Sequence, residues 1–187
     1  MRWILLVIGI WVLVIVQTTM GQILTFETRW LGAIGPDLLA SLAVFVALYA
    51  QNAADTMIAA FLLGFALDAT AFGGSGGMAV IGPMAIAYGL AARALFAVRE
   101  AFFRQRVLAR IVLTLLFCLF AHGLWVTSQA ILAGSAEAWS NYGRMLLQAS
   151  AISVYSAALA PGMFWVFDRL RRRIMSEPTG RSRYARR

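Results

Sequence analysis

Six apolar runs, set apart by arginines and by turns rich in Gly or Pro, leave this chain few ways to fold. The hydrocarbon core of a bilayer is about 30 Å thick, so a spanning helix needs about 20 residues, and its backbone polar groups must be satisfied within the segment. The runs are Trp3 to Thr19, Pro36 to Ala50, Thr56 to Leu67, Met78 to Val98, Val107 to Ala133 and Met145 to Phe167. Of the 187 residues 61% are apolar and 13% charged, against about 25% charged in a soluble domain. These features predict an all-α, polytopic membrane protein with six transmembrane helices, the second and third of them short. Residues 1–170 are expected to form a single six-helix domain and residues 171–187 a basic, disordered cytoplasmic tail. Thr18-Thr19-Met20-Gly21 is a poor signal-peptide cleavage site, so the first run is read as a retained helix.

Positive charge orients the bundle. With both termini cytoplasmic, the inner segments hold Arg2, Arg99, Arg104, Arg106, Arg110 and eight arginines from Arg169 onward, whereas the outer loops hold only Arg29 and Arg144. The positive-inside rule favours that arrangement, and an even number of spans is what it requires. The pI near 11.0 therefore reflects membrane topology and argues against nucleic acid as a partner.

Within the apolar runs a few residues stand out. Pro36 sits at a first-turn position and Asp37 beside the positive end of the second helix, a favourable start. Asp68 closes the third run, where a carboxylate costs about 3 kcal/mol at mid-membrane and less toward the interface. At an outer helix end its best neighbour is Asp37; a pair with Arg93 fails because Arg93 lies near the opposite face. Ala60, Gly64 and Asp68 form one small-residue stripe and Ala85, Gly89 and Arg93 another, each permitting close helix approach. The Gly73 to Gly77 loop lacks the Lys-Ser/Thr pair of a phosphate loop and is read as a turn, and Gly82-Pro83 is expected to kink the fourth helix.

On the fifth helix Thr114, Cys118, His122, Trp125 and Gln129 share one face and predict a seam of interhelical hydrogen bonds, with a cavity lining or proton path as the functional alternative. His122 is the only histidine, so neither a zinc site nor a Ser-His-Asp arrangement can be assembled convincingly. No catalytic, metal or cofactor residues are assigned, and the expectation is a protein that is not an enzyme.

The stretch Gly35-Pro36-Asp37-Leu38-Leu39, then Tyr49, then Phe61-Leu62-Leu63-Gly64-Phe65-Ala66-Leu67-Asp68 with its Gly-rich turn, resembles the MreD family of rod-shape-determining proteins. So does the closing segment from Ala160-Pro161-Gly162 to Asp168-Arg169-Leu170. The resemblance implies a non-enzymatic scaffold of the bacterial cell-elongation complex in the inner membrane. Its direct partner would be MreC, with MreB, RodA and the partner transpeptidase reached indirectly. It also implies a fold like the six-helix substrate-binding component of energy-coupling-factor transporters, which supplies the rival function. Pro36, Asp37, Gly64, Asp68 and Pro161 carry most of the likeness, and Asp37 and Asp68 are expected to cap neighbouring backbone groups and shape the outer mouth for MreC. The first helix, apolar all round, or the second would meet MreC's membrane helix, and self-association is compatible with the same surfaces. The loop from Arg99 to Arg110, carrying Phe102 and Phe103, is expected to signal topology or to engage anionic lipid or MreB.

Overall fold

The computed structural model describes residues 3–71, 82–99, 107–134 and 139–174. Among these lie six helices: α1 (Trp3–Leu24), α2 (Leu38–Tyr49), α3 (Ala53–Ala71), α4 (Pro83–Val98), α5 (Val107–Ala133) and α6 (Tyr142–Ile174). A short antiparallel hairpin, β1 (Phe26–Thr28) and β2 (Gly32–Ile34), joins α1 to α2. Three helices are long and apolar enough to cross a membrane, over Ala53–Thr70, Val107–Ala133 and Tyr142–Arg169.

The hairpin departs from the all-α expectation. Phe26 and Thr28 suit strands, and Gly32 takes the positive φ of 76° that the turn needs. It docks on α6 through Gln148, whose Nε2 donates to the Ala33 carbonyl at 2.8 Å, and through Phe26 against Tyr155.

α2 is the axle. Its 12 residues span about 18 Å at 1.5 Å per residue. Every residue from Leu38 to Leu48 is buried, and the helix touches each of the other five. Phe45 meets Phe164 of α6 edge-on and Phe167 at a tilt, and Tyr88 of α4 meets Phe117 of α5 edge-on.

The third helix is not short. α3 has 19 residues, because Asp55 lies in its favourable first turn and Asp68 is absorbed by α4 without ending α3. Pro83 starts α4 at its first helical position and does not kink it; Gly82, at φ 119°, is the N-cap, and Met78 to Ile81 lie outside the described residues. Pro161 leaves α6 continuous, and that helix runs on to Ile174, past the start of the expected tail. The Gly73 to Gly77 turn, Phe102 and Phe103, and the tail beyond Ile174 lie outside the described residues.

The closest packing is between α3 and α4. A Cβ on Gly64 would stand 2.6 Å from the Met84 carbonyl oxygen and 2.8 Å from Ala85 Cα, so the two backbones touch there. Ala60 and Ala85, from the two small-residue stripes, are fully buried, whereas Arg93 is exposed and makes no pair with Asp68.

The opposite end of α2 is held by arginines. Arg99 Nη1 donates to the Ala47 and Ala50 carbonyls at 3.2 and 2.6 Å, and its guanidinium lies over Phe96. Arg110 pairs with Asp168 at 2.8 Å and donates to the Tyr49 hydroxyl at 3.0 Å, tying α5 to α6 and α2. Both were expected to be loop charges; instead they satisfy carbonyls at a helix C-terminus and bind the closing Asp-Arg-Leu segment into the bundle. Ser41, one turn into α2, is 1% exposed and its hydroxyl has no hydrogen-bond partner among the described residues. Ser41→Ala removes a buried unsatisfied group, so it should raise stability by about 1 kcal/mol in thermal unfolding of the detergent-purified protein. A loss of stability would contradict that account.

Candidate functional site

A helix begins with backbone amides that have no partner inside it. At α2 each of them is met by a side chain. The Ala40 amide donates to Asp37 Oδ1 at 3.0 Å, the Leu38 and Leu39 amides to Gln17 Oε1 at 3.0 and 3.3 Å, and the Asp37 amide to Ser156 Oγ at 2.8 Å. Residues from α1, α6 and the cap itself thus complete one helix terminus.

The same device recurs at α4. Gly82 has no side chain to cap with, so Asp68 reaches across from α3, and its Oδ2 accepts from the amides of Gly82, Met84 and Ala85 at 2.8, 3.1 and 3.4 Å. Position 83, being proline, has no amide to satisfy. The close approach at Gly64, one turn before Asp68, brings the carboxylate within reach. A buried carboxylate among three amides at a positive helix end is electrostatically matched.

α4 links the two carboxylates, which do not bond to each other. Asp68 caps its N-terminus, and the Tyr88 hydroxyl, further along it, donates to Asp37 Oδ2. His122 of α5 completes the cluster: Nε2 lies 3.4 Å from Asp37 Oδ2 and Nδ1 is 2.9 Å from the Cys118 carbonyl. Both neighbours are acceptors, and a neutral ring has one N–H to donate to either of them. Ser156, whose oxygen accepts the Asp37 amide, donates its own hydroxyl to the Ile152 carbonyl of α6.

The polar face of α5 is divided in use. His122 reaches Asp37 of another segment, but the Thr114 hydroxyl donates to Arg110 O of its own helix, and Gln129 Nε2 has no hydrogen-bond partner among the described residues. Trp125 packs at the edge of the core. Pro36 precedes the cap and is not a first-turn residue; Pro161 lies within α6. Gln17, Tyr88 and Ser156 were not singled out from sequence, although each is a hydrogen-bonding side chain isolated in an apolar run.

Beside this cluster opens a cleft of about 720 Å³, lined among others by Gln17, Thr18, Glu27, Asp37, Leu67 and His122. Asp37 and His122 are 3% and 6% exposed, so only an edge of each reaches the cleft. Among the described residues no group of three or more His, Cys, Asp or Glu could hold a metal ion.

No family model, curated protein or solved structure shows significant similarity to this chain. Function is therefore argued from residues and geometry. The cluster's carboxylates are committed to helix termini, and its hydroxyls and imidazole to those carboxylates and to backbone. Chemically this arrangement fixes four helices in register around α2, and leaves the cleft as the place where polar groups meet the exterior.

Proposed function

We propose that this chain is an MreD-type scaffold subunit of the bacterial cell-elongation complex, a six-span inner-membrane protein with both termini cytoplasmic. In that orientation the Asp37 and Asp68 caps lie at the outer face, and Arg99, Arg110 and Asp168 at the inner one. The residues behind the MreD resemblance support the reading by their placement: Asp37, Asp68, Gly64, Tyr49 and Asp168 all serve helix caps or helix contacts.

The observation that carries the proposal is the outward face of α1. Ile8, Trp11, Val12 and Ile15, at helical spacing, are each more than half exposed, while Leu6, Ile10 and Leu13 on the opposite side are buried. A rigid bundle that turns an unbroken apolar ridge outward suits contact with a single membrane helix such as MreC's. α2, enclosed on all sides, offers no such surface, so the proposed contact is assigned to α1. In co-purification from detergent, Ile8→Ala, Trp11→Ala and Ile15→Ala combined should reduce MreC recovery severalfold without changing the protein's own melting temperature. Undiminished recovery would sink the α1 contact.

The cleft favours a second reading, a substrate-binding component of an energy-coupling-factor type transporter. Ligand sites are concave, of about 300 to 1,000 Å³, with a few convergent polar groups. Neighbouring reading frames encoding an MreC-like protein and penicillin-binding proteins would support the first reading; a pair of ATPases would support the second.

A further inference from the structure

The cleft has a charge asymmetry that specifies what it can hold. Among the described residues its lining includes two carboxylates, Glu27 and Asp37, and no arginine. The only other titratable side chain in the lining among the described residues is His122, so carboxylates outnumber cations there whichever charge the imidazole carries. Glu27 is exposed on β1 and makes no ion pair among the described residues. Asp37 accepts from Ala40 and Tyr88 and stands 3.4 Å from His122 Nε2, and a carboxylate has about four acceptor positions, so acceptor capacity is left on the residue where it lines the cleft. Gln17, whose Oε1 is taken by α2, keeps its amide nitrogen as a further group at the wall. Pro36, Leu67 and Ile152 supply apolar surface alongside.

An anion entering this space would face two carboxylates, with only the edge of His122 to meet it among the described residues. A protonated amine on a small apolar body would find the reverse: Glu27 at the rim, the free edge of Asp37 at the floor, and apolar walls for its carbon skeleton. We propose that the cleft between α1, the hairpin and α5 is a binding site for an amine-bearing small molecule, its ammonium group held by Glu27 and Asp37. The ammonium could belong to a free solute or to an ethanolamine lipid headgroup. The proposal goes beyond the scaffold reading and does not depend on MreC binding.

The test uses full-length protein in detergent, with thermal unfolding followed by tryptophan fluorescence. The probe is 2-phenylethylamine, and 3-phenylpropionate serves as its charge-reversed counterpart. The amine should raise the melting temperature saturably and the carboxylate should not. Glu27→Gln, at an exposed position, should leave the unliganded melting temperature unchanged and weaken the amine about tenfold, as expected for loss of one charged hydrogen bond. In nanodiscs, occlusion of the amine by phosphatidylethanolamine but not by phosphatidylcholine identifies the headgroup as the source; amine binding unaffected by either lipid identifies a free solute. No saturable shift with the amine, an equal shift with the carboxylate, or unchanged affinity in Glu27→Gln overturns the proposal.

Discussion

Gly64→Ala is expected to lower the melting temperature of the purified protein by roughly 5 °C, corresponding to about 2 kcal/mol for a chain of this size. Elsewhere in a helix the same exchange would stabilise by up to about 1 kcal/mol, because alanine is the better helix former. The reversal follows from what the new methyl would meet. Its neighbours at 2.6 and 2.8 Å are the Met84 carbonyl oxygen and Ala85 Cα, both backbone, so relief requires α3 and α4 to separate. That separation also pulls Asp68 away from the amides of Met84 and Ala85, so the substitution strains packing and capping together. Gly89→Ala is the internal control. Its nearest neighbours would be 3.8 and 3.9 Å away, ordinary contact distances, and it should be neutral or slightly stabilising. If both alanines behave alike, Gly64 is not a contact point.

That contrast shows what pattern alone can and cannot resolve. The small-residue stripe through Ala60, Gly64 and Asp68 marks a close helix contact because spacing of four residues places one face in register, whatever the partner. Asp37 as a helix start follows similarly from local chemistry. The pairings do not: Ser156 is 119 residues from Asp37, and Gln17 is 21 residues from Leu38, and nothing local in an apolar run says which distant amide a lone Ser or Gln will meet. Two boundaries were misplaced for one reason. Asp68 and Pro83 were read as features of their own segments, an ending and a kink, when the carboxylate of α3 caps the helix that the proline begins. Arg99 and Arg110 look like topology signals because positive-inside statistics count charges and ignore their hydrogen bonds. The hairpin is short enough that no period-2 pattern rises above the surrounding turn residues.

Asp37→Ala should be the most damaging single change at the capped end of α2, lowering stability by about 4 kcal/mol. It removes the acceptor of the Ala40 amide, a cap contribution of about 1 kcal/mol, and leaves the buried Tyr88 hydroxyl and one His122 nitrogen without their partner. Asp37→Asn has the same shape and can still accept from Ala40, but it turns an amide donor toward groups that donated to the carboxylate, so a loss of about 2 kcal/mol is expected. The network predicts coupling, which separates it from a simple cap. In the native background Tyr88→Phe should cost about 1.5 kcal/mol, and in the Asp37→Ala background close to nothing, because its partner is already gone. The double-mutant cycle is measured by unfolding in mixed micelles. Additive losses would mean that Asp37 holds only its own helix and that Tyr88 is anchored by packing against Phe117. A strong coupling would mean that α2, α4 and α5 are locked through one carboxylate. Any ligand entering the adjoining cleft would then act on the register of all three helices, because it would touch the oxygen-bearing edge that binds them together.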